Sequence, residues 1–158
     1  MDEAVTGPAV ETPRADLATK TPIHLWIVGG LATLWNAFGC FDYVMTQTEN
    51  ADYLAQFTEA QRAYFQSFPA WMEAFWAIGV WGGLLGSLLL LIRSRFAVHA
   101  YALSLLGLLV GTIYQYGMAD MPADMKTPAM MGMNAFIWIV AIALLVYAMR
   151  MRRNEVLR

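Results

Sequence analysis

The chain has few of the residues on which soluble enzymes and disulfide-stabilised proteins depend. Its 158 residues include one cysteine and two histidines, and only 14% are charged, against about 25% in soluble domains. With Cys40 alone, an internal disulfide, a four-cysteine zinc site and a paired-cysteine redox centre are all excluded. The formal net charge of −2 leaves no basic excess, so nucleic acid is not expected as a partner.

Apolar residues are abundant instead, at 59% of the chain. Crossing the hydrocarbon core of a bilayer takes about 20 mostly apolar residues in a helix. Four segments meet this requirement, at residues 24–45, 70–92, 96–117 and 129–149, and Asp42 and Glu73 are their only charged residues. The sequence therefore predicts an all-α polytopic membrane protein, a four-transmembrane-helix bundle with the lipid bilayer as its permanent partner.

The distribution of lysine and arginine predicts the orientation. Eight of the ten basic residues lie before the first span, between the second and third spans, or after the fourth, whereas the other two loops contain only Arg62 and Lys126. The positive-inside rule then places both termini in the cytoplasm. Residues 1–22, with three prolines and four acids, are expected to be a disordered cytoplasmic tail. Residues 23–150 form the transmembrane domain, and residues 151–158 a basic cytoplasmic tail.

The first outer loop, residues 46–69, carries aromatic residues at helical spacing, and Thr58 with Gln61 matches a capping box. We expect short amphipathic helices on the outer membrane surface. Two alternatives stay open: the aromatic side chains belong to an interfacial belt, or the loop is a lid over an outward-facing site.

Small residues recur along the second and third spans, notably Gly79, Gly83, Gly107 and Gly111. Such stripes let membrane helices approach closely, either within one bundle or across a homodimer. Another membrane protein is the alternative partner. The fourth span lacks a stripe of this kind, so we expect it at the periphery.

The candidate site centres on Asp42 and Glu73, which the predicted topology places at similar depth near the outer surface. If they lie close together, the carboxylates share a proton or bind a cation or a polyol hydroxyl. Alternatively both lie in the headgroup zone, where the dipole of its own helix stabilises Glu73.

Four uncharged residues complete the set of candidate ligand contacts. Asn36 is expected either to form a hydrogen bond across a helix interface or to contact a ligand. Tyr114, Gln115 and Asn134 lie toward the outer ends of their helices, and with the two carboxylates they would line an outward-open vestibule.

No cofactor and no metal are expected. His24 and His99 both fall at the cytoplasmic end, where a pair of histidines could ligate a haem, but interfacial histidines are the favoured interpretation. The sequence offers no nucleophile–base pair or metal cluster, so an enzyme is not expected.

Several stretches of the sequence are similar to a known group of proteins. They are HLWIVGGL (24–31), LWNA (34–37), FDY (41–43), FPAW (68–71), VWGGLLGS (80–87) and FAVH (96–99). Over about residues 24–117 the chain resembles small four-span bacterial inner-membrane proteins that often carry the label "sugar transporter". The resemblance implies the inner membrane and solute transport, but it assigns no residue to a role.

We therefore expect a transporter-like protein for a small polar solute such as a sugar. The alternative is a non-catalytic accessory or assembly subunit of a larger membrane complex.

Overall fold

A computed structural model describes residues 21–158. The tail expected at residues 1–22 lies outside the described residues, apart from Thr21 and Pro22. In chain order the helices are α1 (Ile23–Gln47), α2 (Ala51–Leu54), α3 (Glu59–Gln66), α4 (Ala70–Leu91), α5 (Ala97–Gly117) and α6 (Pro128–Arg153), with a short 3₁₀ turn at Ala123–Met125 before α6.

The protein is an all-α multi-pass membrane protein, as predicted. Helices α1, α4, α5 and α6 are each long and apolar enough to cross a membrane, and residues 21–158 contain no β-strand. The first three begin and end within two residues of the predicted spans. Helix α6 differs, because it continues to Arg153, four residues past the predicted end at residue 149.

Helix α4 is the centre of the bundle and packs against both α1 and α5, while α5 also packs against α6. Helices α1 and α6 meet through aromatic side chains. The rings of Trp35 and Phe136 lie edge to face with centroids 5.4 Å apart, and those of His24 and Tyr147 lie 5.8 Å apart. All four long helices therefore belong to one antiparallel bundle.

The glycine stripes are used within the chain, mainly between α4 and α5. A Cβ added at Gly107 would lie 2.6 Å from both the backbone nitrogen of Gly79 and the carbonyl oxygen of Phe75. A Cβ at Gly83 would overlap the side-chain amide of Asn36, and Gly111 faces Met72. These four glycines thus make close contacts inside a single chain, which is one of the two uses that the sequence left open.

Helix α6 lies at the periphery, as predicted. Only Leu144, Ala148 and Met151 are buried along its 26 residues. In the middle of the helix, the Trp138 indole N–H donates to Thr112 Oγ1 of α5 at 3.1 Å.

The last residues form a C-terminal strap (residues 155–158) that folds back onto the bundle. Glu155 has a positive φ of 56°, and the amide of Val156 donates to the carbonyl of Met151 at 3.0 Å, which is a Schellman cap. Val156 and Leu157 are buried at the end of the helical core. The sequence assigned residues 151–158 to a tail, whereas the structure makes them part of the folded unit.

The two ends of the bundle differ in composition. The end that carries the α4–α5 turn and residues 150–158 is called the arginine end below. The opposite end carries α2, α3 and residues 118–127, and is called the loop end. The short helices predicted within residues 46–69 are confirmed, and so is the capping box of Thr58 and Gln61.

Candidate functional site

At the loop end, the chain leaves α1 through a tight turn that sets one edge of the candidate site. Glu49 has a positive φ of 49°, and the amide of Asn50 donates to the carbonyl of Met45 at 3.1 Å. The Asn50 side chain then accepts from the amide of Tyr53 at 2.9 Å and caps α2. This Schellman cap ends α1 and places Glu49 beside the last turn of that helix.

Helix α3 forms the opposite edge and is anchored at its N-terminus and along one face. Thr58 begins the helix with the capping box, and its hydroxyl also donates to Asp124 Oδ2 at 2.8 Å, which joins the two loops of this end. On one face, Tyr64 and Phe68 are buried against Met72. The other face therefore presents its polar residues to solvent.

The first turn of helix α4 forms the base of the site. Pro69 precedes the helix, and Glu73 lies within the first turn. The partial positive charge at a helix N-terminus stabilises a carboxylate at such a position. Glu73 therefore lies at the point where α4 enters the bundle.

A polar cavity lies between these three elements. Its volume is about 140 Å³. The lining combines two carboxylates, one guanidinium, two carboxamides and one hydroxyl with two apolar side chains, from Thr46, Gln47, Glu49, Leu54, Arg62, Phe65, Gln66 and Glu73. Hydrogen-bond acceptors and donors converge on a small volume, which is the chemistry that binds a hydroxylated or zwitterionic molecule.

Of the predicted site residues, only Glu73 lines this cavity. Asp42 is engaged elsewhere, because its carboxylate accepts a hydrogen bond from the Tyr53 hydroxyl of α2. Burial raises the pKa of Tyr53 above its ordinary value, and the hydrogen bond to Asp42 raises it further. The two carboxylates thus have different surroundings.

Asn36 makes the cross-helix hydrogen bond that the sequence left as one of two options. Its side-chain amide donates to Ser87 Oγ at 3.1 Å and to the carbonyl of Ala32 at 2.8 Å. The Tyr101 hydroxyl donates to the same Ser87 oxygen at 3.0 Å, and Ser87 donates to the carbonyl of Gly83 at 2.9 Å. This polar cluster joins α1, α4 and α5 and leaves Ser87 fully buried.

The other predicted contacts do not assemble into a vestibule with Glu73. Tyr114 belongs to an aromatic cluster, with its ring 5.5 Å from that of Phe68 and 5.3 Å from that of Trp71. Gln115 and Asn134 are half-buried on α5 and α6 and are not among the residues that line the cavity.

Sequence reasoning missed most of the cavity. It assigned Arg62 and its neighbours to short amphipathic helices on the membrane surface and did not consider Thr46, Gln47, Glu49 or Gln66 as ligand contacts. The sequence did contain a signal for the cavity. Polar residues lie on both sides of the capping box of Thr58 and Gln61, and the next span begins with a carboxylate, Glu73. The centre of the polar cluster, Ser87, was also missed because it follows the glycines and was assigned to their packing stripe.

The histidines and the cysteine have ordinary partners. His24 Nδ1 lies 2.5 Å from the Tyr147 hydroxyl, and the His99 ring lies against Phe96. The Cys40 thiol donates to the carbonyl of Val80 at 3.4 Å. Over residues 21–158, no group of three or more histidine, cysteine, aspartate or glutamate side chains could hold a metal ion.

Comparison with known proteins gives no relative: no protein-family model, no curated protein and no solved structure matches the chain.

Proposed function

We propose that this chain is an inner-membrane, transporter-like protein that binds a small polar solute, such as a sugar, from the outer side. The arginine end faces the cytoplasm and the loop end faces outward. The positive-inside rule supports this orientation, because Arg62 and Lys126 are the only basic residues of the two loop-end connections. The resemblance to small four-span bacterial proteins labelled as sugar transporters supports the solute class.

The observation that carries the proposal is the cavity around Glu73. A sugar hydroxyl both donates and accepts hydrogen bonds, so a good site combines carboxylates and carboxamides with a cationic donor. In this cavity the carboxylate comes from Glu73, the carboxamide from Gln66 and the cationic donor from Arg62. Phe65 adds an apolar surface for the C–H face of a sugar ring.

Passage across the membrane requires a conformational change in this proposal. The Asn36–Ser87–Tyr101 cluster offers polar groups between the helices, but close contacts between α4 and α5 surround it. Val156 and Leu157 cover the helix ends beyond Tyr101. In this proposal, the cavity at the loop end is the open side and the arginine end is the closed side.

Uptake of labelled sugars into proteoliposomes tests the proposal. Glu73→Gln keeps the size of the side chain but removes the charge, and it should abolish uptake while membrane abundance stays unchanged. Glu59→Gln is the matched control, since Glu59 is an exposed carboxylate of the same loop outside the cavity. Unchanged uptake in Glu73→Gln would refute the assignment.

The accessory-subunit function is the second candidate, and the exposure of α6 favours it. An apolar helix with so few buried residues could pack against another membrane protein as well as against lipid. Co-purification with one other membrane protein at fixed stoichiometry, together with absent uptake by the isolated chain, would support this function instead.

A further inference from the structure

The arginine end gathers cationic side chains from three separate segments. Arg93 and Arg95 belong to the α4–α5 turn, and the last turn of α6 contributes three more. The C-terminal strap brings Arg158 to the same place, because the Arg158 amide donates to the carbonyl of Arg93 at 2.7 Å. In the described part of the chain, Glu155 is the one acidic side chain at this end. The result is a strongly positive surface at the level where the helices end.

A concave site lies within this surface, at the end of α6. Its volume is about 330 Å³, and it is lined by Arg150, Met151, Arg153 and Asn154. Arg150 and Arg153 are three residues apart on the helix, so they project from the same face. Two guanidinium groups beside a carboxamide and a thioether form a cationic site with an apolar wall.

A second observation at this end indicates a missing hydrogen-bond acceptor. Arg93 Nε donates to the carbonyl of Val156 at 3.1 Å, but its Nη2 is buried and has no hydrogen-bond partner among the described residues. Leaving a buried charged donor unpaired is unfavourable. Phosphate oxygens, like carboxylate oxygens, are strong bidentate acceptors for guanidinium groups. The two features are adjacent, since the amide of Val156 is itself bonded to Met151, which lines the concavity.

The surface of α6 next to the arginines is apolar. Ile142, Val146 and Met149 are 46%, 38% and 43% exposed, and their helical spacing places them on the same face as Arg150 and Arg153. A free phosphate would use only the arginines. A phospholipid would contact the arginines and the apolar strip together, with its headgroup on the guanidinium groups and its acyl chains along the strip.

We propose that this site binds the headgroup of an anionic phospholipid from the surrounding leaflet. The phosphate accepts hydrogen bonds from Arg150 and Arg153, and Arg93, with its buried Nη2, adds its positive charge to the same end of the bundle. Basic pockets at the ends of transmembrane helices bind such headgroups. The C-terminal strap completes the site by packing Val156 between the α4–α5 turn and the end of α6. This inference is independent of the solute proposed for the loop end.

Native mass spectrometry of the purified, delipidated protein tests the proposal with cardiolipin, phosphatidylglycerol and phosphatidylethanolamine as probes. We expect one retained cardiolipin or phosphatidylglycerol per chain and much weaker retention of phosphatidylethanolamine. Because each arginine near a surface contributes measurably to headgroup binding, Arg150→Gln with Arg153→Gln should weaken retention roughly thirtyfold.

The matched control is Arg62→Gln with Lys126→Gln, which removes two cations from the loop end and should leave retention unchanged. Both Arg150 and Arg153 are exposed, so their replacement is not expected to unfold the protein, and an unchanged melting temperature checks this. Equal retention of all three lipids, or unchanged retention in the Arg150/Arg153 variant, would overturn the proposal and leave these arginines as topology signals only. Displacement of the lipid by millimolar glycerol phosphate would overturn it in favour of a soluble anion.

Discussion

The amide of Arg158 donates a hydrogen bond to the carbonyl oxygen of Arg93, 2.7 Å away, and the carbonyl of Arg158 accepts one from the amide of Arg95 at 2.8 Å. These two backbone bonds fasten the C-terminal strap to the α4–α5 turn. Between the helix end and these bonds, the side chains of Val156 and Leu157 are buried in the same cluster as Leu25. The C-terminal strap is therefore part of the core that joins the ends of the long helices.

Leu157→Ala should lower the stability of the protein. Leu157 is only 5% exposed, and removing a buried leucine side chain typically costs about 2 kcal/mol or more of unfolding free energy. Arg158→Gln is the matched control, because Arg158 is held through its backbone. Thermal unfolding in detergent, followed by tryptophan fluorescence, compares the two variants. Equal melting temperatures would contradict the role given to the C-terminal strap.

Replacing Ser87 should destabilise the centre of the bundle. Ser87→Ala leaves the Asn36 amide and the Tyr101 hydroxyl without their shared acceptor, and orphaned buried donors cost about 1 to 2 kcal/mol. In Thr33→Ala, the lost hydroxyl is bonded only to the carbonyl of Gly29 in its own helix, so that variant should unfold close to the wild-type temperature. A Ser87→Ala protein as stable as Thr33→Ala would mean that the cluster does not hold the helices together.

Two glycine substitutions should have opposite effects. Gly107→Ala places a methyl group against the backbone of α4, with its carbon 2.6 Å from the Gly79 nitrogen, whereas a Cβ at Gly132 meets nothing within 4 Å. Alanine is a better helix former than glycine by about 1 kcal/mol, so Gly132→Ala should be neutral or stabilising. Gly107→Ala should separate α4 from α5 and reduce the yield of folded protein in size-exclusion chromatography. Similar behaviour of the two variants would contradict the close approach of these helices.

Tyr64 should make stability depend on pH in the alkaline range. Burial raises the pKa of Tyr64 from 10 to about 12, with smaller contributions from Tyr114 and Tyr116. The unfolded chain loses this proton near pH 10 and the folded chain near pH 12, so its contribution to stability is present below pH 10 and is lost as the pH rises to 12. Tyr64→Phe should flatten the decline of the melting temperature in that window.

The same variant makes a separate prediction at neutral pH. The Tyr64 hydroxyl is buried and has no hydrogen-bond partner within residues 21–158, so Tyr64→Phe should be neutral or stabilising by about 1 kcal/mol. Tyr101→Phe removes a hydroxyl that is bonded to Ser87 and should destabilise. Equal destabilisation by Tyr64→Phe and Tyr101→Phe would contradict this prediction, because it would mean that the Tyr64 hydroxyl forms a stabilising hydrogen bond.

The sequence predicted the spans, the short loop helices and the peripheral position of α6, because each depends on local properties. Apolar length determines a span, and Thr58 and Gln61 specify the start of α3 through local hydrogen bonds. The pairing of Asp42 with Tyr53 was not predictable in this way, since it depends on the turn that α1 makes at Glu49. The contact between Asn36 and Ser87 likewise depends on how α1 and α4 are rotated about their own axes, and hydropathy alone does not determine that rotation.

The C-terminal strap shows a different limit of sequence reasoning. The arginines of residues 150–158 indicate a cytoplasmic tail, and Val156 and Leu157 alone give too little periodicity to predict an element. The burial of the C-terminal strap depends on the left-handed backbone conformation of Glu155 and on the carbonyl of Arg93, which accepts a hydrogen bond from the Arg158 amide. Both are properties of the folded bundle that a pattern along the chain does not contain.

Solute binding at the loop end is the central claim, and native mass spectrometry of the protein in nanodiscs tests it most directly. Wild-type protein mixed with a panel of sugars should show one bound solute per chain, and the adduct should disappear in Glu73→Gln but persist in Glu59→Gln. If wild-type protein carries no solute adduct and instead leaves the native membrane in a fixed complex with another protein, the transporter account is contradicted and the accessory function takes its place.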